Sequence, residues 1–475
     1  MAPELHLPAR PPFVLRARLL TPLDAGGTRH ELDAVVSVDP DGRLARVEAA
    51  GAGNAGGAAE ELAASAVDVR PLVILPGLVD LHAHLPQLPN AGVGAGMDLL
   101  AWLERYIFPL EREFDDAEAA ERLAPAVFAA FAAAGTTTAL MYGAVFAPSL
   151  DAAFRAAEAH GIRAILGKVM MDRVTYDESI EPSTILSRSL RESADLCARW
   201  HMADGGRLRY AFTPRFAVSC TADMLRESAA LARSTGAYWQ THVSEDRGEV
   251  AEVARLFPEA LDYVDVYDRA GGLGPRSVLA HAIHLSDREI GRLVETGTRV
   301  AHCPASNLFL ASGVMPLSRY LAAGLSVGLG SDVAGGPDPS IFTAMRVGAY
   351  TQNALRVVRG EAGGVRADGA GVLGPLDWLR LGSLDGARAL GLESVVGSVE
   401  VGKEADLIVV DPAMTAPIPD LPVEEDPSAL MSRLIFRAHP DMVRGAWVRG
   451  RRLPGPRGGY LTGPRGGYLP GPRGG

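Results

Sequence analysis

Hydrophobic positions along the chain fall into three successive patterns. From residue 13 to about 70, short apolar runs ("FVLRARLL", "DAVVSVD", "LARVEAA") are separated by Gly, Asp and Pro. This predicts brief β-strands joined by turns, with a loop over the Ala/Gly-rich patch 51–58. From Leu72 the rhythm changes to buried strands alternating with long helices rich in Ala, Leu, Arg and Glu. The predicted strands are "LVDLHAH", "GTTTALMYGAV", "RAILGKVMM", "LRYAFTPRF", "AYWQTHVSE", "SVLAHAIH", "TRVAHCPAS" and "SVGLGSDVA", each followed by helix-like sequence such as "AEVARLF" or "DREIGRLVE". Eight strand–helix units over roughly 320 residues are what a (β/α)8 TIM-type barrel requires, with room for insertions. Beyond Leu392 the pattern is strand-like again, in "GSVEVGKEADLIVVD" and "MVRGAWVRGRRL".

The expected class is therefore α/β, with the barrel at 71–392. The flanks, 1–70 and 393–453, are expected to fold together as one small β-sandwich domain. The tail, 454–475, repeats "GPRGGYL" every eight residues. It is too short and Gly-rich to bury a core, so disorder is expected there.

Composition narrows the function. With 475 residues, 48% of them hydrophobic, the chain can bury a large core. A formal net charge of -11 argues against nucleic-acid and anionic-membrane partners and fits an enzyme or binding protein for small molecules. Three scattered cysteines, Cys197, Cys220 and Cys303, provide neither a disulfide framework nor a Cys-x-x-Cys site, which suits a reducing cytoplasm. The first twenty residues carry prolines and charges where a signal peptide needs a continuous apolar stretch, and no run reaches membrane-spanning length without Gly or a charge.

The stretch "LVILPGLVDLHAHLPQ" ends an apolar run with His82 and His84. Residues at i and i+2 of a strand face the same side, so two imidazoles can converge on one metal ion. The functional face of such a barrel is the C-terminal end of its strands. There the sequence places Arg215, His242 with Glu245 just beyond, His281, His302 and Asp332. Any one of these is adequately explained as a packed core histidine or a capping aspartate. Together, His82, His84, His242 and Asp332 form a nitrogen and oxygen set for one zinc ion with a position left open, and iron or manganese suits the same donors. The only lysines, Lys168 and Lys403, lie away from the ends of strands four and five. A bridging lysine for a second metal is thus missing, and one ion per chain is expected.

With these residues in place, the sequence resembles the amidohydrolase superfamily and, within it, the guanine deaminases. The resemblance runs from about 70 to 450 through "PGLVDLHAHLPQ", "DLLAWLERYIFPLEREF", "AAGTTTALMYGAV", "TPRFAVSC", "THVSEDRGEV", "VLAHAIHLS", "AHCPASNLFLASG" and "GLGSDVAGG". It implies zinc on His82, His84, His242 and Asp332. It also implies substrate contacts from Gln87, Arg215, Phe216, His242 and Glu245, proton transfer by Glu245 and Asp332, and His281 beside the attacking water. The implied reaction is hydrolytic deamination of guanine to xanthine and ammonia, in a cytoplasmic homodimer. His302 is read as structural. Two segments depart from the family pattern and are expected near the pocket: "AGGPDPSIF" after Asp332, stiffened by Pro337 and Pro339, and "MMDRVTYDES". A related aminohydrolase or chlorohydrolase of pterins, triazines or modified purines, and a catalytically silent ligand-binding barrel, remain the alternatives.

Overall fold

The computed structural model describes residues 6–50, 64–174, 179–360 and 372–455. The predicted 51–58 loop and the repeats of the tail from 456 onward lie outside the described residues. In chain order the strands are β1 (Phe13–Pro22), β2 (Thr28–Val38), β3 (Leu44–Ala49), β4 (Val67–Pro76), β5 (Leu78–His84), β6 (Thr136–Tyr142), β7 (Arg163–Gly167), β8 (Val169–Met170), β9 (Leu208–Pro214), β10 (Tyr238–Val243), β11 (Ser277–His281), β12 (Arg299–His302), β13 (Ser326–Leu329), β14 (Leu407–Val410), β15 (Val443–Val448) and β16 (Arg451–Arg452).

Strands β5, β6, β7, β9, β10, β11, β12 and β13 are neighbours in that order in one parallel sheet, and β8 adds to β9. Each of the eight predicted barrel strands corresponds to one of them. The sheet curls until its edges meet. His84 N–H donates to the Val333 carbonyl and Asp332 N–H to the His82 carbonyl, at 2.9 and 2.8 Å, which ties the end of β5 to the chain leaving β13. A Cβ on Gly330 would stand 2.9 Å from that of His82, so only glycine allows this approach. Val79, Leu81, Leu140, Ile165, Ala211, Tyr238, Val278 and Ala301 fill the barrel interior. The helix Leu384–Ala389 and the residues after it plug the floor, where the Tyr238 hydroxyl donates to the Leu390 carbonyl. With helices outside and side chains inside, β5 and β6 are buried at every position.

The flanks join in one seven-stranded sheet, ordered β16-β15-β14-β4-β1-β2-β3. Its concave face encloses a core of its own, including Leu15, Leu19, Val36, Ile74, Leu407 and Trp447. Leu20, Val73, Leu75, Ile408 and Val410 on the other face pack into the large core shared with the barrel helices. A buried ion cluster seals this junction: Arg163 of β7 donates from Nε to Asp406 at 3.0 Å and from Nη2 to Glu404 at 2.6 Å.

Two boundaries differ from the sequence expectation. The apolar run that ends at His84 is two strands, not one. β4 pairs with β1 and β14 in the flanking sheet, and β5 opens the barrel at Leu78. Residue 71 therefore lies within a strand of the other sheet. The break is Gly77, where a Cβ would sit 2.0 Å from the Thr137 hydroxyl. At the far end, Val396 still packs with the barrel floor, past the expected limit at 392.

Candidate active site

The register of β5 against β6 shifts between Asp80 and Ala83. A strand alternates faces, yet Leu81 packs inside the barrel and His82 follows it into the same interior. The irregularity acts as a bulge that aims both imidazoles at the barrel axis. Asp80, buried beneath, accepts from the backbone N–H groups of His82 and Ser331 at 3.0 Å each, and so fixes the two strand ends that carry His82 and Asp332.

Nε2 of His82 and of His84 lie 3.1 and 3.3 Å from Oδ1 of Asp332, and Nε2 of His242 lies 3.2 Å from that of His84. Nδ1 of His242 donates to the Arg215 carbonyl at 2.6 Å, which leaves Nε2 with its lone pair facing inward, the tautomer a metal requires. His82 Nε2 is buried without a hydrogen-bond partner. Among the described residues, His82 with His84 and Asp332, and His82 with His242 and His281, form groups whose donor atoms lie within 4.8 Å of one another. Convergent imidazole nitrogens around one carboxylate fit a divalent cation. Burial pushes the pKa of His82 and His242 down, which keeps these donors neutral.

A third group, Glu245, His281 and Asp332, adjoins the first two. His281 Nε2 is 3.3 Å from Glu245 Oε2 and 3.8 Å from Asp332 Oδ2, while its Nδ1 donates to Asn307 Oδ1 at 2.9 Å. The two carboxyls are driven apart. Burial, reinforced by the charge of Asp332, raises Glu245 well above the usual carboxyl range. For Asp332, burial acts upward too, but the adjacent His82 and His84 outweigh it and hold the group well below that range. The two carboxyls are thus pushed in opposite directions, one toward its acid form and the other toward its ionised form, the pattern that pairs an acid with a base. His281 and Asp332 both adopt left-handed backbone, at φ 72° and 48°, as do Ser244 and Ala282. Such conformations cost non-glycine residues on the order of 1–3 kcal/mol each, and they concentrate here at the strand ends that aim the reactive side chains.

The cavity above is lined by His84, Gln87, Arg215, Phe216, His242, Glu245, His281 and Asp332, with Leu99, Trp102, Leu103 and Leu310 completing it. His82 forms the layer beneath. Every residue expected in the site is brought together, and His302, read as structural, is fully buried outside the cavity lining with neither ring nitrogen hydrogen-bonded. None of the residues 333–342 lines the cavity, against the expectation for that loop. Asp172 accepts from the Thr221 backbone and side chain, and residues 175–178 are outside the described residues. Lys168 bonds Ser189 and Lys403 bonds Ser398, so neither reaches the site.

Residues 73–453 match the amidohydrolase family. This chain belongs to that family. It is 36% identical to the guanine deaminase of Escherichia coli over 73% of this chain and 75% of that protein, and 35% identical to the guanine deaminase of Mus musculus over 72% and 74%. Among solved structures, E. coli guanine deaminase superposes with a TM-score of 0.82 at 29% identity, covering 93% of this chain and 99% of that one. A guanine deaminase from C. acetobutylicum with guanine bound in its active site gives 0.83 at 25% identity with the same coverage.

Several residues of this amidohydrolase site escape motif reading. Ser306 donates to Asp332 Oδ2 and Asn307 orients His281; both stand in "HCPASN", whose polar pair is unremarkable in sequence. Tyr142, at the end of β6, packs its ring 4.6–5.0 Å from those of His84, His242 and His82. Glu111, buried between Gln87 and Arg215, accepts from both at 2.6 and 2.5 Å. Its signal in the sequence is partial: Leu99, Leu103, Ile107 and Glu111 recur every four residues, a spacing that drifts round a regular α-helix and keeps to one face here only through a π-helical turn at Leu103–Ile107.

Proposed function

We propose that this amidohydrolase deaminates guanine to xanthine and ammonia, with one zinc ion held by His82, His84, His242 and Asp332. The observation that carries the reading is the convergence of His82, His84, His242 and Asp332 at the floor of one cavity whose wall presents Glu245, His281, Gln87, Arg215 and Phe216. When bound, a divalent ion would lower the pKa of water to about 7 and so make a strong nucleophile available at neutral pH. Asp332, ionised, is the base for the proton released as water adds to C2. Glu245, protonated, delivers its proton to the ring nitrogen beside that carbon, so negative charge does not accumulate on the ring. His281, neutral because burial lowers its pKa to about 4, donates from Nδ1 to Asn307 and turns the lone pair of Nε2 toward the space between the two carboxyls. Asp332 then passes the proton it took to the amino group, ammonia leaves as the C2 hydroxyl returns its proton to Glu245, and the oxygen of water remains on C2.

Arg215 supplies donors for the heterocycle, and Phe216 an apolar face for its plane. Three buried, free cysteines agree with a reducing cytoplasm as the proposed setting, with a homodimer as the proposed assembly. Among the described residues no helix is long and apolar enough to cross a membrane. The test is ammonia release from guanine, a pterin and a triazine by the metal-loaded protein. Guanine is expected to react fastest, and turnover of a pterin or triazine with guanine left intact would transfer the same chemistry to another ring.

A further inference from the structure

Glu111 is 4% exposed and holds the two polar side chains of the substrate wall. One oxygen accepts from Gln87 Nε2 and the other from Arg215 Nη1, while the Arg215 guanidinium lies 5.2 Å from the centre of the Phe108 ring. The three residues come from separate places: Gln87 follows β5, Arg215 follows β9, and Glu111 sits on the helix Phe108–Arg112. A π-helical turn, Leu103–Ile107, leads into that helix. Its wider turn sets the helix back by about one residue, so Leu103, Ile107 and Glu111 remain over one face instead of drifting around it.

A carboxylate only accepts hydrogen bonds. Gln87 must therefore turn its amide nitrogen toward Glu111, and its Oε1 is left buried in the cavity wall with no partner in the protein. From this geometry we propose that Glu111 is a positioning residue for specificity: it locks Gln87 as a hydrogen-bond acceptor beside Arg215, which can only donate. The wall is then complementary to a ring edge that presents an N–H next to an acceptor, as guanine does. An edge that offers only acceptors, or the two in exchanged order, leaves Oε1 unsatisfied. This rests on the guanine reading and adds to it the reason that one edge of the base is selected.

The test compares guanine with 2,6-diaminopurine, which lacks the ring N–H beside an oxo group, and with 9-methylguanine, whose imidazole N–H is capped. The wild-type protein should reject at least one analogue by roughly tenfold or more in kcat/KM, because a site built to bond an N–H discriminates against its loss. Glu111→Gln lets Gln87 turn over. It should raise KM for guanine more than it lowers kcat, and shrink the discrimination at least about fivefold, with metal content unchanged. The exchange Gln87→Glu with Glu111→Gln places an acceptor in the cavity again and should recover much of the discrimination, which a merely packed carboxylate would not predict. Equal loss on all three substrates in Glu111→Gln, no recovery in the double variant, or a wild type indifferent to both analogues would each overturn the proposal. A wild type inert toward guanine overturns the functional reading itself, and is distinguished by needing no substitution to appear.

Discussion

Replacing Glu245 with Gln tests the acid–base assignment directly. The side chain is 3% exposed and its Oε2 lies 3.3 Å from His281 Nε2, so an isosteric amide fits the same space and leaves the metal donors untouched. It removes a carboxyl that burial and the Asp332 charge push toward its protonated form. Positioned proton transfer contributes about 10²–10⁴ in rate, equivalent to about 3–5 kcal/mol of barrier. Ammonia release from guanine should fall by at least about a hundredfold, with metal content unchanged in the same preparation. The pH dependence has a definite sign. The acid form delivers the proton, so kcat/KM should hold steady through the ordinary carboxyl range and decline as pH rises through the raised pKa. The residual rate of the variant should lack that alkaline decline. A variant within a few-fold of wild type that retains the decline would remove Glu245 from its role.

Other substitutions separate metal, substrate and stability. His82→Ala with His84→Ala should eliminate both bound metal and turnover; elemental analysis of the wild type should give one divalent ion per chain, and two ions, both needed for activity, would refute the single-site reading. Arg215→Ala should lower kcat/KM for guanine by at least about tenfold with the metal retained, and Arg215→Lys should restore little, because a point charge cannot reproduce a planar fork held by Glu111. His302 is buried, which lowers its pKa to about 3, against about 6.5 in an unfolded chain. The unfolded chain alone binds that proton between the two values, so its contribution is complete above pH 6.5 and is lost as pH falls toward 3. Urea titrations of wild type and His302→Gln at pH 6.5 and 5 should show the wild type losing about 2 kcal/mol more over the interval, and parallel losses would contradict a neutral buried imidazole.

The barrel was legible because its strands are buried on both faces and separated by long amphipathic helices, a rhythm that survives without knowledge of contacts. Strand ends then named the proposed metal donors, since a (β/α)8 barrel delivers such side chains to one mouth. Legibility fails where the chain departs from its period by one residue. The irregularity between Asp80 and Ala83 puts Leu81 and His82 on one side of β5, and the π turn at Leu103–Ile107 holds Glu111 in line with Leu99 and Leu103. Strict alternation or a uniform helical repeat would misplace one partner in each case. Gly77 marks a related limit: the sequence places a strand at "LVDLHAH", and only the crowding against Thr137 shows why the apolar run before it pairs in the other sheet. These departures share a physical cause. Regular strands and helices satisfy backbone hydrogen bonds but offer few directions for a side chain, and a site that must aim several groups at one cavity needs directions between them. An added residue or a left-handed turn supplies that angle at a local cost, as at His281 and Asp332, and the packed barrel beneath is what holds it in place. The same reasoning makes Glu111, reached through such an irregularity and paired with two substrate-facing side chains, a stronger functional candidate than its place in a helix suggests.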